Sequence, residues 1–146
     1  MLSKLMTVFA PEAPDYGDDR LAIAGLMVRL ARSDGTYAAS EITRIDRLLA
    51  ARYGLTAAEA AALRVEAEEY EANAPDTVRF TRAIKENVPL DERFAVVEDL
   101  WDVVLEDGVR DESEDALMRL LANLLGINDR DSALCRQRVL ARRNPE

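Results

Sequence analysis

The sequence predicts an all-α protein, a single compact domain of about seven to eight helices built from two pseudo-symmetric three-helix halves. Aromatic residues make up only 5% of the chain, whereas Ala and Leu are abundant, and this composition favours helices over sheets. No stretch alternates convincingly between apolar and polar residues with the period of two that a half-buried strand shows. The division into halves follows from an internal repeat.

The repeat is marked by two Asp-Gly pairs, Asp34-Gly35 and Asp107-Gly108, which lie 73 residues apart. An apolar segment precedes each pair. A glutamate follows each aspartate after seven residues, Glu41 in the first copy and Glu114 in the second. Each copy therefore predicts a helix, an Asp-Gly turn and a second helix.

A second turn follows in each half. Gly54 and Gly126 stand where a helix needs a left-handed residue after its last turn. Thr56 and Asn128 then supply side chains that cap the N-terminus of a third helix. We expect the halves to cover about residues 18–72 and 91–142.

Other local signals complete the order of helices. Pro75 and Pro89 bracket a connecting helix with one apolar face. Near the N-terminus, Leu2, Leu5, Met6 and Phe9 favour a short, frayed helix that docks these side chains. The other predicted helices span about residues 18–33, 39–52, 57–72, 76–88, 91–106, 112–125 and 129–142.

The first helix of each half is apolar around most of its circumference. Residues 21–28 carry no charge, and residues 94–105 carry only three. Helices of this kind are buried, so we expect these two to pack against each other at the centre. Trp101 is expected to anchor the core, because a lone aromatic residue on an apolar face usually packs.

Composition bounds the class of protein. A chain of 146 residues is about the size of one domain, so we expect residues 1–146 to fold as one unit. The net charge of −9 argues against nucleic acid as a partner. The longest apolar run is far shorter than the ~20 residues that span a bilayer, so no stable membrane insertion is expected. Cys135 is the only cysteine, which excludes an intrachain disulfide and fits a reducing, cytoplasmic compartment.

The Asp-Gly turns have two interpretations. Their offsets match positions 5, 6 and 12 of a calcium-binding EF-hand loop. Positions 1 and 3 should also supply oxygen ligands, but they hold Leu30 and Arg32 in the first copy and apolar residues in the second. The alternative is a capped turn, in which Asp111 and Glu114 form a capping box. Ala38 replaces the capping residue in the first copy, so we expect a weaker cap there.

A strip of acids on the predicted fifth helix raises the same question. Glu98, Asp99, Asp102 and Glu106 lie at helical spacings, so their like charges repel. Either a divalent cation or an arginine-rich surface must offset them. The last 17 residues carry five Arg against one Asp and one Glu, a net charge of +3 within the total of −9. We expect the arginines to do so, namely Arg136, Arg138, Arg142 and Arg143.

These residues resemble a known family. Residues 90–108 followed by Glu114 and residues 120–127, with residues 30–35 and Glu41 as the first copy, resemble the TerB-like (tellurite resistance protein B-like) helical family. The resemblance implies an all-helical, cytoplasmic bacterial protein without established enzymatic activity, connected with tellurite or metal stress. It also implies candidate metal ligands at the acidic positions, which here are Asp34, Glu41, Asp107 and Glu114. Glu98, Asp102 and Glu106 are a second choice of ligands.

Two functions therefore remain open. The first is a non-catalytic module that acts through contacts with an unidentified protein partner. The alternative is a divalent-cation binder, and such a cation is the one cofactor considered. An enzyme is not expected, because the chain has no His, no Gly-rich phosphate loop and no His to activate Cys135.

Overall fold

The computed structural model of the chain describes residues 19–74, 76–106 and 112–144. Within these ranges the chain forms seven helices and no strand, which confirms the all-α prediction. Every predicted boundary is within two residues of the observed one. The helices are α1 (Asp19–Arg32), α2 (Ala39–Tyr53), α3 (Ala57–Asn73), α4 (Val78–Asn87), α5 (Leu90–Val104), α6 (Glu112–Leu124) and α7 (Asp129–Arg143). The predicted N-terminal helix and the Asp111 cap lie outside the described residues.

Helix α1 lies at the centre of the fold. It contacts α2, α3, α4, α5 and α6. Ten of its 14 residues are buried, as expected for a helix that is apolar on every side. The predicted contact between the first helices of the two halves, α1 and α5, is present.

The two halves pack by the same rules. Helix α3 packs on α1 in the first half, and α7 packs on α5 in the second. Across the halves, α2 contacts α5 and α6 contacts α1. The buried positions of the third helices also match along the repeat: Ala60, Leu63 and Ala67 in α3 correspond to Ser132, Cys135 and Val139 in α7. Backbone superposition of the halves, and the extent of the domain over residues 1–146, stay predictions.

The predicted Gly turns form as left-handed ends of α2 and α6. Gly54 has φ of 66° and Gly126 has φ of 86°. The capping residues then begin the third helices. Thr56 Oγ1 accepts the backbone N–H of Glu59 at 3.1 Å, and Asn128 Oδ1 accepts that of Asp131 at 2.8 Å. Each third helix thus starts within two residues of a glycine, and this fixes its direction against α1 or α5.

Trp101 is only partly buried. It packs against the core, as predicted, but its outer edge remains accessible. Its indole Nε1 donates to Ser132 Oγ at 3.0 Å, and the Arg136 guanidinium lies 5.7 Å from the ring centroid. The side chain therefore joins α5 to α7 at the margin of the core.

Helix α4 approaches α1 closely through a glycine. The fully buried Phe80 ring lies over Gly25, and a Cβ built at Gly25 would stand 2.6 Å from Phe80 Cε1. Phe80 also meets Tyr70 of α3 edge to face, with ring centroids 5.2 Å apart. A larger residue at Gly25 would therefore push α4 away from α1.

Gly25→Ala is expected to lower the free energy of unfolding by about 1–3 kcal/mol, because the added methyl overlaps a buried ring. The loss should appear although Ala favours a helix over Gly by about 1 kcal/mol. Urea denaturation of the wild type and the variant measures it. Phe80→Leu in the Gly25→Ala background should recover part of the loss. A Gly25→Ala variant as stable as the wild type would contradict the close packing.

Candidate functional site

The structure places three of the four candidate metal ligands. Asp34 lies in the turn after α1, where its Oδ1 accepts the Thr36 N–H at 2.9 Å. Glu41 and Glu114 lie in the first turns of α2 and α6. Asp107 lies outside the described residues.

The two repeated turns are neighbours in space. Ser113 Oγ, next to Glu114, donates to the backbone carbonyl of Ser33 at 3.4 Å. The turn after α1 therefore touches the start of α6. Among residues 19–74, 76–106 and 112–144, however, no three Asp, Glu or Cys side chains are grouped as a metal site.

Glu41 and Glu114 are each only 1% exposed, which is unusual for a carboxylate. Burying a carboxylate is costly unless hydrogen bonds compensate it. Glu41 has such a bond, since its Oε1 accepts the backbone N–H of Ala38 at 2.9 Å. This is one half of a capping box, and Ala38 has no side-chain acceptor for the other half, as the sequence predicts. The corresponding bond from Asp111 to Glu114 involves a residue outside the described ranges and stays a prediction.

The second-choice ligands are bound by arginines. Glu98 pairs with Arg138 at 3.0 Å and with Arg142 at 2.9 Å. Arg143 Nη2 reaches Asp102 Oδ1 at 2.6 Å and Glu106 Oε1 at 3.0 Å. The prediction that C-terminal arginines neutralise the acidic strip is confirmed for these three. Arg136, the fourth, lies over Trp101 instead.

Two further arginines come from α2, and sequence reasoning missed them. Arg44 Nε pairs with Glu106 at 2.9 Å, and Arg52 Nε pairs with Asp99 at 2.8 Å. They are eight residues apart and so lie near one face of α2, which was the only available signal. The acidic strip is thus held between arginines of α2 on one side and α7 on the other.

The ion pair between the first and third helices occurs in both halves with opposite polarity. Arg29 of α1 pairs with Glu71 of α3 at 2.9 Å. At the corresponding positions, 73 and 72 residues later, stand Asp102 of α5 and Arg143 of α7. Each arginine also donates to backbone carbonyls near a helix C-terminus, Arg29 to Ala74 at 3.0 Å and Arg143 to Asp102 at 2.9 Å. The position therefore links two helices irrespective of which one carries the cation.

Burial changes the ionisation of this network. It raises the pKa of Asp99, and the neighbouring Arg52 counteracts part of that shift. Burial alone would lower the pKa of Arg143, but hydrogen bonds to Asp102 and Glu106 outweigh it and raise the pKa. The Arg143 guanidinium therefore stays charged at every pH at which the fold is stable.

A hollow beside Trp101 is the best-formed concavity next to this network. It measures about 220 Å³ and is lined by Trp101, Asp115, Arg119, Asp129, Ser132, Ala133 and Arg136. The one hydroxyl in this lining, Ser132 Oγ, already accepts the Trp101 N–H. The hollow therefore offers no activated nucleophile.

Comparison with protein families identifies the chain. The family model described as tellurite resistance protein TerB matches residues 20–137. The chain belongs to the TerB family. The match spans α1 to most of α7, so the resemblance read from the repeated turns is confirmed.

A solved structure supports the same fold. The crystal structure of a protein of unknown function from Porphyromonas gingivalis W83 is similar to this TerB-family chain, with a TM-score of 0.60. The two are 18% identical, and the match covers 88% of this chain and 94% of that one. At this identity the likeness shows the fold alone. The chain matches none of the curated proteins with which it was compared.

The apolar helices of this TerB fold serve its interior. None of the helices in the described ranges is long and apolar enough to cross a membrane.

The network predicts unequal effects for two adjacent arginines. Arg143→Gln should lower the free energy of unfolding by about 1.5–3 kcal/mol, because charged hydrogen bonds to partly buried acids are lost. Arg142→Gln should cost only about 0–1 kcal/mol, since half-exposed pairs are weak, and added salt should reduce this cost further. Urea denaturation at low and high salt compares them. Equal losses in the two variants would contradict the assigned geometry.

Proposed function

We propose that this TerB-family chain is a non-catalytic, cytoplasmic module of a tellurite- or metal-stress response, acting through contacts with a protein partner. The family match over residues 20–137 carries the proposal. The arrangement of side chains supports it. The acidic strip is compensated by arginines of the same chain, and the hollow beside Trp101 has no activated nucleophile.

The stress role is tested in the source organism. Deletion of the gene should lower the tellurite concentration that stops growth, and a plasmid copy of the wild type should restore it. A plasmid copy of Arg143→Gln should restore less, in proportion to its lost stability. Arg142→Gln serves as the matched control and should restore growth fully. Unchanged tellurite and metal tolerance in the deletion strain would refute the stress role.

Divalent-cation binding is the second candidate. One observation favours it: Glu41 and Glu114 are buried at matching positions of two turns that touch each other. Carboxylate oxygens are the ligands that calcium and magnesium prefer. Glu41 already caps α2, however, and Glu98, Asp102 and Glu106 already bind arginines. We therefore favour a capping role for the turn glutamates.

Thermal melts separate capping from metal binding at Glu114. With capping alone, Glu114→Gln should be nearly neutral, because an amide oxygen still accepts a backbone N–H. Neither protein should then respond to EDTA or to millimolar calcium or magnesium. Glu59→Gln is the matched control, because Glu59 Oε1 accepts the Thr56 N–H in the equivalent box of α3. A Tm that rises with metal in the wild type and in Glu59→Gln, but not in Glu114→Gln, would establish the metal site.

A further inference from the structure

A shallow groove of about 260 Å³ lies between α4 and α6. Its lining includes Val78, Lys85 and Leu124. Val78 is 45% exposed, and Leu120, one turn before Leu124 on the same side of α6, is 49% exposed. These side chains, with Arg82 and Glu86, define the α4–α6 groove. Several large apolar groups thus face outward in one place, which marks a binding surface.

The α4 side of this groove carries cations without acidic partners. Arg79, Arg82 and Lys85 are exposed and form no ion pair in the described ranges. Arginines elsewhere behave differently, as Arg29 and Arg64 do in pairing with acids of α3 and α2. In a chain of net charge −9, this face of α4 is therefore a local basic surface that attracts acidic segments.

We propose that residues 2–9 of the same chain dock in the α4–α6 groove as a short helix, with the acids that follow them lying over the basic face of α4. Residues 1–18 lie outside the described part of the chain. Their sequence places Leu2, Leu5, Met6 and Phe9 at the spacing of one helical stripe. Glu12, Asp15 and Asp18 then bring three negative charges to a face that carries three cations.

The connection is long enough to reach. Gly25 lies against Phe80 and Arg29 Nη1 donates to Thr77 Oγ1 at 3.2 Å, so α1 and α4 run in opposite directions. Asp19, where α1 begins, is therefore level with the last turn of α4. Residues 11–18 can span roughly 26 Å when extended, whereas the ten residues of α4 cover about 15 Å. Every part of the groove is thus within reach of residues 2–9.

Hydrogen exchange of the full chain, followed by mass spectrometry, tests this docking. Amides of residues 2–9 should exchange about tenfold more slowly than in the same peptide free in solution. Leu120→Glu should abolish this protection by placing a charge at the apolar groove. Val65→Glu is the matched control, because Val65 is an equally exposed apolar residue on α3, outside the groove.

A charge exchange tests the electrostatic part. Arg82→Glu should reduce protection of residues 2–9 severalfold, and adding Asp15→Arg should restore much of it. Free-peptide exchange rates in the wild type would overturn the proposal, as would equal effects of Leu120→Glu and Val65→Glu. Protection that disappears on dilution would overturn it too, by showing that the segment binds a second copy. Far-UV circular dichroism melts of each variant ensure that the fold itself is retained.

Discussion

The fold depends on one constraint, which is that α1 has no side that tolerates water. Its residues from Leu21 to Val28 are all buried, so other helices must cover it all around. The repeat supplies most of that cover: α2 and α3 come from its own half, and α5 and α6 come from the other. One gap remains, and α4 fills it. Gly25 is what allows this, because the Phe80 ring occupies the space where a Cβ would stand. Burial of one helix thus explains both the pairing of the halves and the need for a connecting helix.

The second half repeats the geometry but not the chemistry. Helix α5 corresponds to α1 in the repeat, yet it carries an acidic strip that α1 lacks. Arginines of α2 and α7 close over that strip on both sides. The inverted pairs Arg29–Glu71 and Asp102–Arg143 show what the architecture requires at this point. A link between the first and third helices is needed, whereas the direction of the charge is not. A buried apolar helix and an ion-paired one can therefore occupy equivalent places in the same fold.

Helix boundaries could be predicted because local signals fix them. Gly54, Thr56, Gly126 and Asn128 each end or begin a helix through their own backbone or side chain, without help from distant residues. The C-terminal arginines were also predictable, because an excess of one charge in the tail needed an excess of the other elsewhere. Arg44 and Arg52 were missed for the opposite reason: their partners follow from the contact of α2 with α5, which is tertiary information. The close approach of Phe80 to Gly25 is equally non-local. At the candidate site, Glu41 was predicted correctly as half of a capping box, because its partner Ala38 is only three residues away.

The connecting helix differs from the other six in a way that bears on function. It belongs to neither half, so no repeated ion pair or capping box constrains its outer face. Only one strip, Phe80, Thr81 and Ile84, is needed to cover α1. The remaining positions are free to carry charges that do not serve folding, and they carry cations in an acidic protein. Side chains that neither pack nor pair within the chain add nothing to stability, since exposed single charges contribute little. Selection for contacts can therefore act on α4 without disturbing the core, and this makes it the place in the fold where binding is least tied to stability.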